Sequence, residues 1–337
     1  MTSKTLARST KLHHSLGVTI ETPLLVPSFS SKGFGSSNER ESEVRKIFSV
    51  VSEYLTDSML ISAYDLSYGN LDTVKNAITE ITIVDSGGYE ISDIHDPSAI
   101  YRQPVNPKDW SLERLQKVYD DWPPHIPAVF VSFDRPDQRK PLQNQIAEAK
   151  RLFARYPHQL NTLLVKPETK TQHSVQIKNV IANVDDLNSF DIVGVTEDEL
   201  GNSILKRMQN ISSIRLAMDD ADVKVPLHVY GSLDPLTTVL YFLAGAEIFD
   251  GLTWLRFGYV DGFACYRSNY GVKNIGIDRL DDFVKAKTMT DNLGYLVELN
   301  HQMNKFLLDK DFERFGINSK TVHEAFDLLC TKNPRLK

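Results

Sequence analysis

Short apolar runs alternate along this chain with longer amphipathic stretches. Apolar or β-branched runs fall at 24–28, 60–62, 81–85, 128–134, 162–166, 191–195, 226–230 and 247–253. Several are near-continuous, the pattern of strands buried on both faces. Helical periodicities lie between most of them. Leu142, Ile146, Ala149, Phe153 and Tyr156 step by four and three onto one helix face. Asp234-Pro235 offers an N-cap and a first-turn proline to a helix over 236–243. Segments 111–122 and 172–184 read similarly, and 38–54 sets Val44, Ile47, Val51 and Leu55 against a charged face. From about residue 281 the chain again reads as helical, with Leu293, Leu296, Met303 and Phe306 on a face placed to close the fold. Eight strand–helix alternations predict an α/β protein of the (β/α)8 TIM-barrel class; a doubly wound open sheet is the alternative that periodicity leaves open. No repeat, low-complexity tract or linker divides the chain. One domain is therefore expected over 1–337, with a barrel at about 20–280 and C-terminal helices at about 281–337.

Composition narrows the function classes. Apolar residues are 41% and charged residues 24%, which is globular and not disordered. Lys plus Arg is 38 against 44 Asp plus Glu, a net charge of −6. A generally basic nucleic-acid coat is excluded, whereas a local basic groove is allowed. Two cysteines, Cys265 and Cys330, cannot build a disulfide framework or a four-thiolate zinc site. No apolar run approaches the roughly 18 residues of a membrane span, and the N-terminal segment has no apolar signal core. The expectation is a soluble, cytoplasmic protein with no membrane partner.

In a barrel, chemistry sits at the C-terminal ends of the strands. Asp85 stands there on the third strand, followed by Ser86-Gly87-Gly88-Tyr89. Asp134 ends the fourth, Lys166 the fifth, and Tyr230-Gly231 the seventh; Gly194, Glu197 and Glu199 belong to the sixth, and Asp250 to the eighth. Convergent carboxylates suit glycosyl transfer, in which one attacks a sugar carbon and another moves protons at the leaving group. Close carboxylates also push their pKa values apart, so one can be an acid while the other stays ionised. Gly87-Gly88 removes side chains where a flat ligand could approach, and Tyr89 offers a ring for stacking. His228 reads as an interior residue of the seventh strand, and His13-His14 show no metal-ligand spacing.

Val84-Asp85-Ser86-Gly87-Gly88-Tyr89-Glu90 resembles the T-D-S-G-G-[FY]-Q motif of the tRNA-guanine transglycosylases. Ile248 to Arg256, with Asp250 in third place, resembles their F-D-C-x-x-P-x-R segment. Ser62-Ala63-Tyr64-Asp65-Leu66 is similar to their N-T-Y-H-L, and 8–27 to their opening hairpin and first strand. The likeness runs from about residue 8 to about 310. It implies a base exchange in which guanine leaves a polynucleotide and a 7-deazaguanine enters, with tRNA favoured as acceptor and DNA the alternative. Asp250 would be the nucleophile at C1′, Asp85 the general acid/base, and Ser86 its helper. Tyr89 and Tyr230 would stack on the two faces of the base. Asp134 would read the guanine edge, and Gly194 would offer its backbone to the base.

The departures from that pattern are specific. The family's C-x-C-x-x-C…H zinc site would follow the nucleophile motif, but 258–276 holds Cys265 alone, so no zinc and no other cofactor is expected. Lys166 replaces a base-reading Gln, and Val193-Gly194-Val195 replaces a G-G-L turn. Glu197 or Glu199 lies near an acidic residue that senses an aminomethyl substituent. Phosphate contacts are expected from Arg256, Arg267, Lys273, Lys285 and Lys287 after the eighth strand. A homodimer is common in the family. A non-catalytic partner subunit and a barrel glycoside hydrolase are the competing readings. All enzyme readings require Asp85 and Asp250 to face one pocket beside Tyr89 and Tyr230.

Overall fold

Eight parallel strands close on themselves in the order of the chain. They are β1 (Leu24–Phe29), β2 (Ser58–Ser62), β3 (Ile81–Asp85), β4 (Ala128–Val131), β5 (Leu160–Val165), β6 (Ile192–Thr196), β7 (Leu227–Tyr230) and β8 (Ile248–Gly251). β8 pairs with both β7 and β1, which completes a (β/α)8 TIM barrel. The computed structural model describes residues 5–33, 42–71, 79–92 and 107–336. No helix among them is long and apolar enough to cross a membrane.

Strand alternation puts every second side chain into the lumen. Val26, Leu60, Ile83, Val129, Leu164, Ile192 and Ile248 form its apolar filling. An N-terminal hairpin, Lys11–His13 paired with Thr19–Glu21, adds Leu12 and Ile20 to that cluster. His14 and Ser15 tie this hairpin to Gln159 and to the His158 carbonyl, just before β5 begins. The hairpin therefore stoppers the N-terminal end of the barrel. A buried pair, Arg215 to Glu247 at 2.9 Å, and the Thr22 hydroxyl on Glu247 brace the same end.

The helices largely follow the periodicities. Leu142–Phe153 buries Leu142, Ile146, Ala149 and Phe153. Pro235–Leu243 is capped by the Asp234 carboxylate, which accepts from the Leu236 and Thr237 amides. Leu112–Asp120 is capped by Ser111. Glu43–Val51 is capped by Ser42, and positions 38–41 of the expected helix lie outside the described residues. Asp281–Asp309 packs along β1 and buries Leu293, Leu296, Met303 and Phe306, the last against Phe242, while Ser319–Lys332 packs on Pro235–Leu243 and on the helix Ile204–Asp220.

Three elements fall short of their expected bounds, and one element is new. β4 stops at Val131 because the Tyr119 hydroxyl occupies the Val131 carbonyl and the Ser132 hydroxyl takes the Leu164 amide. β8 stops at Gly251, and Thr253–Arg256 is a short helix. The 172–184 helix is confined to Ile177–Ala182, because the Gln172 side chain accepts from the Glu168 and Thr169 amides and folds that stretch into a turn. After β8 comes a second hairpin, Phe257–Val260 with Phe263–Tyr266, which the apolar pattern did not reveal.

Candidate active site

The C-terminal ends of the strands surround a cleft of about 920 Å³, counting the part open to solvent. Asp85, Ser86, Gly88, Tyr89, Asp134, Lys166, Tyr230, Gly231 and Asp250 all line it. So do Ser28, Ser30, Glu90, Arg139, Glu197 and Glu199. The alternation explains the two aspartates. Asp85 stands two residues after lumen-facing Ile83, and Asp250 two after lumen-facing Ile248. Both carboxylates therefore point inward at the layer where apolar filling gives way to polar groups.

Their surroundings differ. Asp250 accepts on both oxygens: Oδ2 from the Ser28 hydroxyl at 2.7 Å, and Oδ1 from His228 Nε2 at 2.9 Å and the Gly231 amide at 3.3 Å. Asp85 accepts a 3.2 Å bond from the Gly87 amide. Burial first, and the Asp250 charge second, push Asp85 up to about 6.

Tyr230 forms the cleft floor. Its ring stacks on His228 at 3.7 Å and 25°. A Cβ on Gly194 would come within 2.4 Å of Tyr230 Cε2, so glycine at 194 is what lets the ring cross β6. Gly194 itself lies beside that ring. The two loop glycines are also required by the protein's own packing. A Cβ on Gly87, whose φ is +81°, would meet Trp110 and Tyr64, and one on Gly88 would meet Asp134 Oδ2 at 2.9 Å. Tyr89 stands at the opposite side of the cleft from the floor's β7. The Lys32 ammonium lies 4.2 Å from its ring centroid, and Arg256 Nη2 lies 3.4 Å from its hydroxyl.

Asp134 and Lys166 belong to a closed ring of alternating charges. Arg139 reaches Asp134 at 2.6 Å and Glu199 at 3.2 Å. Lys166 Nζ lies 3.0 Å from Glu199 and 3.5 Å from Asp134. Burial alone would lower the Lys166 pKa; Glu199 and Asp134 outweigh it and hold the ammonium above its usual range. Of the two glutamates considered after β6, Glu199 thus faces Lys166, whereas Glu197 bonds Arg207 and the Tyr241 hydroxyl.

Neither protein-family models nor curated proteins match this chain.

The zinc site that the resemblance implies does not fit the residues present. Cys265 lies in the second hairpin and Cys330 in the core of Ser319–Lys332, so one thiol is at hand where three are needed. Asn292 of the long helix holds this hairpin instead. Its amide donates to the Trp254 and Phe257 carbonyls and its Oδ1 accepts from the Tyr259 amide.

The expected phosphate-binding cations are engaged within the chain. Lys273 pairs with Asp261, Lys285 with Glu43 and Lys287 with Asp291. Arg267 donates to the Leu255 carbonyl, and Arg256 reaches Tyr89. Ser28 and His228, and with them Ser30, Glu90 and Arg139, are site residues that sequence reasoning missed. Strand alternation could have found the first two, since Ser28 follows lumen-facing Val26 by two and His228 precedes Tyr230 by two. No local signal singles out Arg139 from neighbouring Arg135 and Lys140.

Proposed function

We propose that this chain is a base-exchange transglycosylase that removes guanine from a nucleic acid and installs a 7-deazaguanine. The observation that carries the reading is the pair of inward carboxylates in unlike surroundings on one cleft, Asp250 held by three donors and Asp85 desolvated beside it. An Asp250 oxygen attacks C1′ as the C1′–N9 bond breaks, and the base leaves with a proton from Asp85. The ribose stays esterified to Asp250. Asp85, now ionised, takes the N9 proton of the incoming base, which attacks C1′ and frees Asp250. The base would lie against Tyr89, with Asp134 accepting from its N–H edge and Lys166 donating to its carbonyl. A base inside a polymer must be flipped out to reach this depth.

Seven acidic side chains line the cleft against the basic pair Arg139 and Lys166, which suits a base and sugar but not phosphates. The resemblance favours tRNA as acceptor over DNA. A second reading, exchange that depends on a partner subunit or a second copy, is favoured by the cations after β8 being engaged internally. The partner would then supply phosphate contacts.

Radiolabelled guanine offered with bulk tRNA and, separately, with duplex DNA tests the reading. Label should enter one polymer with wild type and not with Asp250→Asn. Folded wild type that labels neither polymer refutes self-sufficient exchange and leaves the partner-dependent form.

A further inference from the structure

His228 is wholly buried, and nothing about core packing calls for an imidazole there. Its ring stacks on Tyr230, a contact a phenyl ring would also make. Its Nδ1 is buried without a hydrogen-bond partner, a defect that an apolar residue would avoid. What an apolar residue cannot supply is the 2.9 Å contact from Nε2 to Asp250 Oδ1.

A carboxylate only accepts, so Nε2 carries the hydrogen. A second hydrogen on Nδ1 would be a buried donor facing no acceptor. The neutral Nε2–H tautomer is the state that leaves no donor unpaired. His228 therefore presents one fixed donor to Asp250 and no charge.

The donors around Asp250 divide its oxygens. Oδ1 receives two, from His228 and the Gly231 amide; Oδ2 receives one, from the Ser28 hydroxyl. Those groups come from β7, the turn after it and β1, on both sides of β8. Together they stop the carboxylate from rotating. A hydroxyl can swing away from Oδ2, whereas a buried stacked ring and a backbone amide cannot leave Oδ1.

We propose that His228 is a positioning residue for Asp250, fixing Oδ1 as the held oxygen and leaving Oδ2 to form the bond to the sugar. This rests on the transglycosylase reading above. In the attack, Oδ2 bonds C1′, the C1′–N9 pair goes to the base, and the base takes its proton from Asp85; His228 keeps Nε2–H throughout. In the ester, Oδ1 is the carbonyl oxygen and still has both donors. When the ester is cleaved, charge returns to a carboxylate already solvated by them. Loss of His228 should slow both halves of the exchange.

The test compares wild type, His228→Phe and His228→Gln, all as full chain, in guanine exchange on the accepted polymer. Phe keeps the stack and removes the donor; the Gln amide restores a donor at similar reach. The expected result is a fall in kcat of about 10²-fold for His228→Phe, with KM within twofold and Tm not lowered. His228→Gln should recover most of kcat. Unchanged kcat in His228→Phe overturns the proposal. So does a matching loss of KM and Tm in both variants, which would mark a packing role. ¹⁵N NMR of the imidazole in unliganded protein gives a readout independent of turnover. The neutral Nε2–H form in wild type, with its hydrogen-bonded proton lost in Asp250→Ala, supports the proposal; an Nδ1–H form overturns it. Wild type with no exchange on any polymer, alone or partnered, refutes the functional reading, and the NMR result then decides the geometry by itself.

Discussion

Asp85 is where residue-scale physics meets the proposed chemistry. Its ordinary value of 3.8 is raised to about 6, by burial and then by Asp250. Delivery of a proton to the departing base needs the acid form, which is lost above that value. Guanine release should therefore slow as pH rises above about 6, approaching tenfold per unit. Asp250→Asn removes the second cause, so the Asp85 carboxyl should titrate lower in that variant by ¹³C NMR. An unmoved titration would mean that the two carboxylates do not feel each other. Both aspartates could be read from the sequence because each ends an apolar strand in a distinctive motif. The reasons for the glycines could not. Gly194 makes room for a ring on the neighbouring strand, and Gly88 for Asp134 on the next, which are contacts between residues distant along the chain.

At the scale of elements, the strands were legible because most are buried on both faces and read as bare apolar runs. Ile204–Asp220 was not legible as a helix with a single apolar face. It buries residues around most of its circumference, between the barrel and Ser319–Lys332. The second hairpin carries a signal in its turn rather than in its apolar pattern. Asp261 and Gly262 at its tip both have positive φ, 51° and 79°, the preference behind Asp-Gly turns. Asn292 is its anchor, and its three bonds could not be foreseen from a polar residue in a long helix. Asn292→Ala should cost about 2–4 kcal/mol in denaturant unfolding, since it strands buried backbone groups. Limited proteolysis should then cut first within 257–266. A variant as stable and as resistant as wild type would assign the anchoring to other contacts, such as the Tyr259 hydroxyl on the Leu233 carbonyl.

The whole molecule separates its functions by height. The stoppered end carries the Arg215–Glu247 pair and an apolar filling, while the mouth collects buried carboxyls. Glu90 is pushed up from 4.5 to about 8 by burial, then by Asp65 and Asp85. A carboxyl whose folded value is raised stabilises the fold fully below its unfolded value and loses that contribution as pH climbs through the folded one. Stability should thus decline between about pH 5 and pH 8, with Asp85 adding to the lower part of that window. Glu90→Gln mimics the acid form without the proton. Its Tm should match wild type near pH 5 and exceed it increasingly toward pH 9, by the equivalent of a few kcal/mol at most. A gap that does not change with pH would show that Glu90 is not the group responsible.

Among the described residues, the stopper formed by Leu12 and Ile20 closes one end of the barrel and leaves the mouth as its doorway. For the reaction proposed, that turns an architectural detail into traffic control. The departing base and the arriving base must use the same opening one after the other, while the sugar stays moored to Asp250. Parallel lines in double-reciprocal plots are the kinetic imprint of such a queue, and free guanine should compete with the newcomer for the vacated berth.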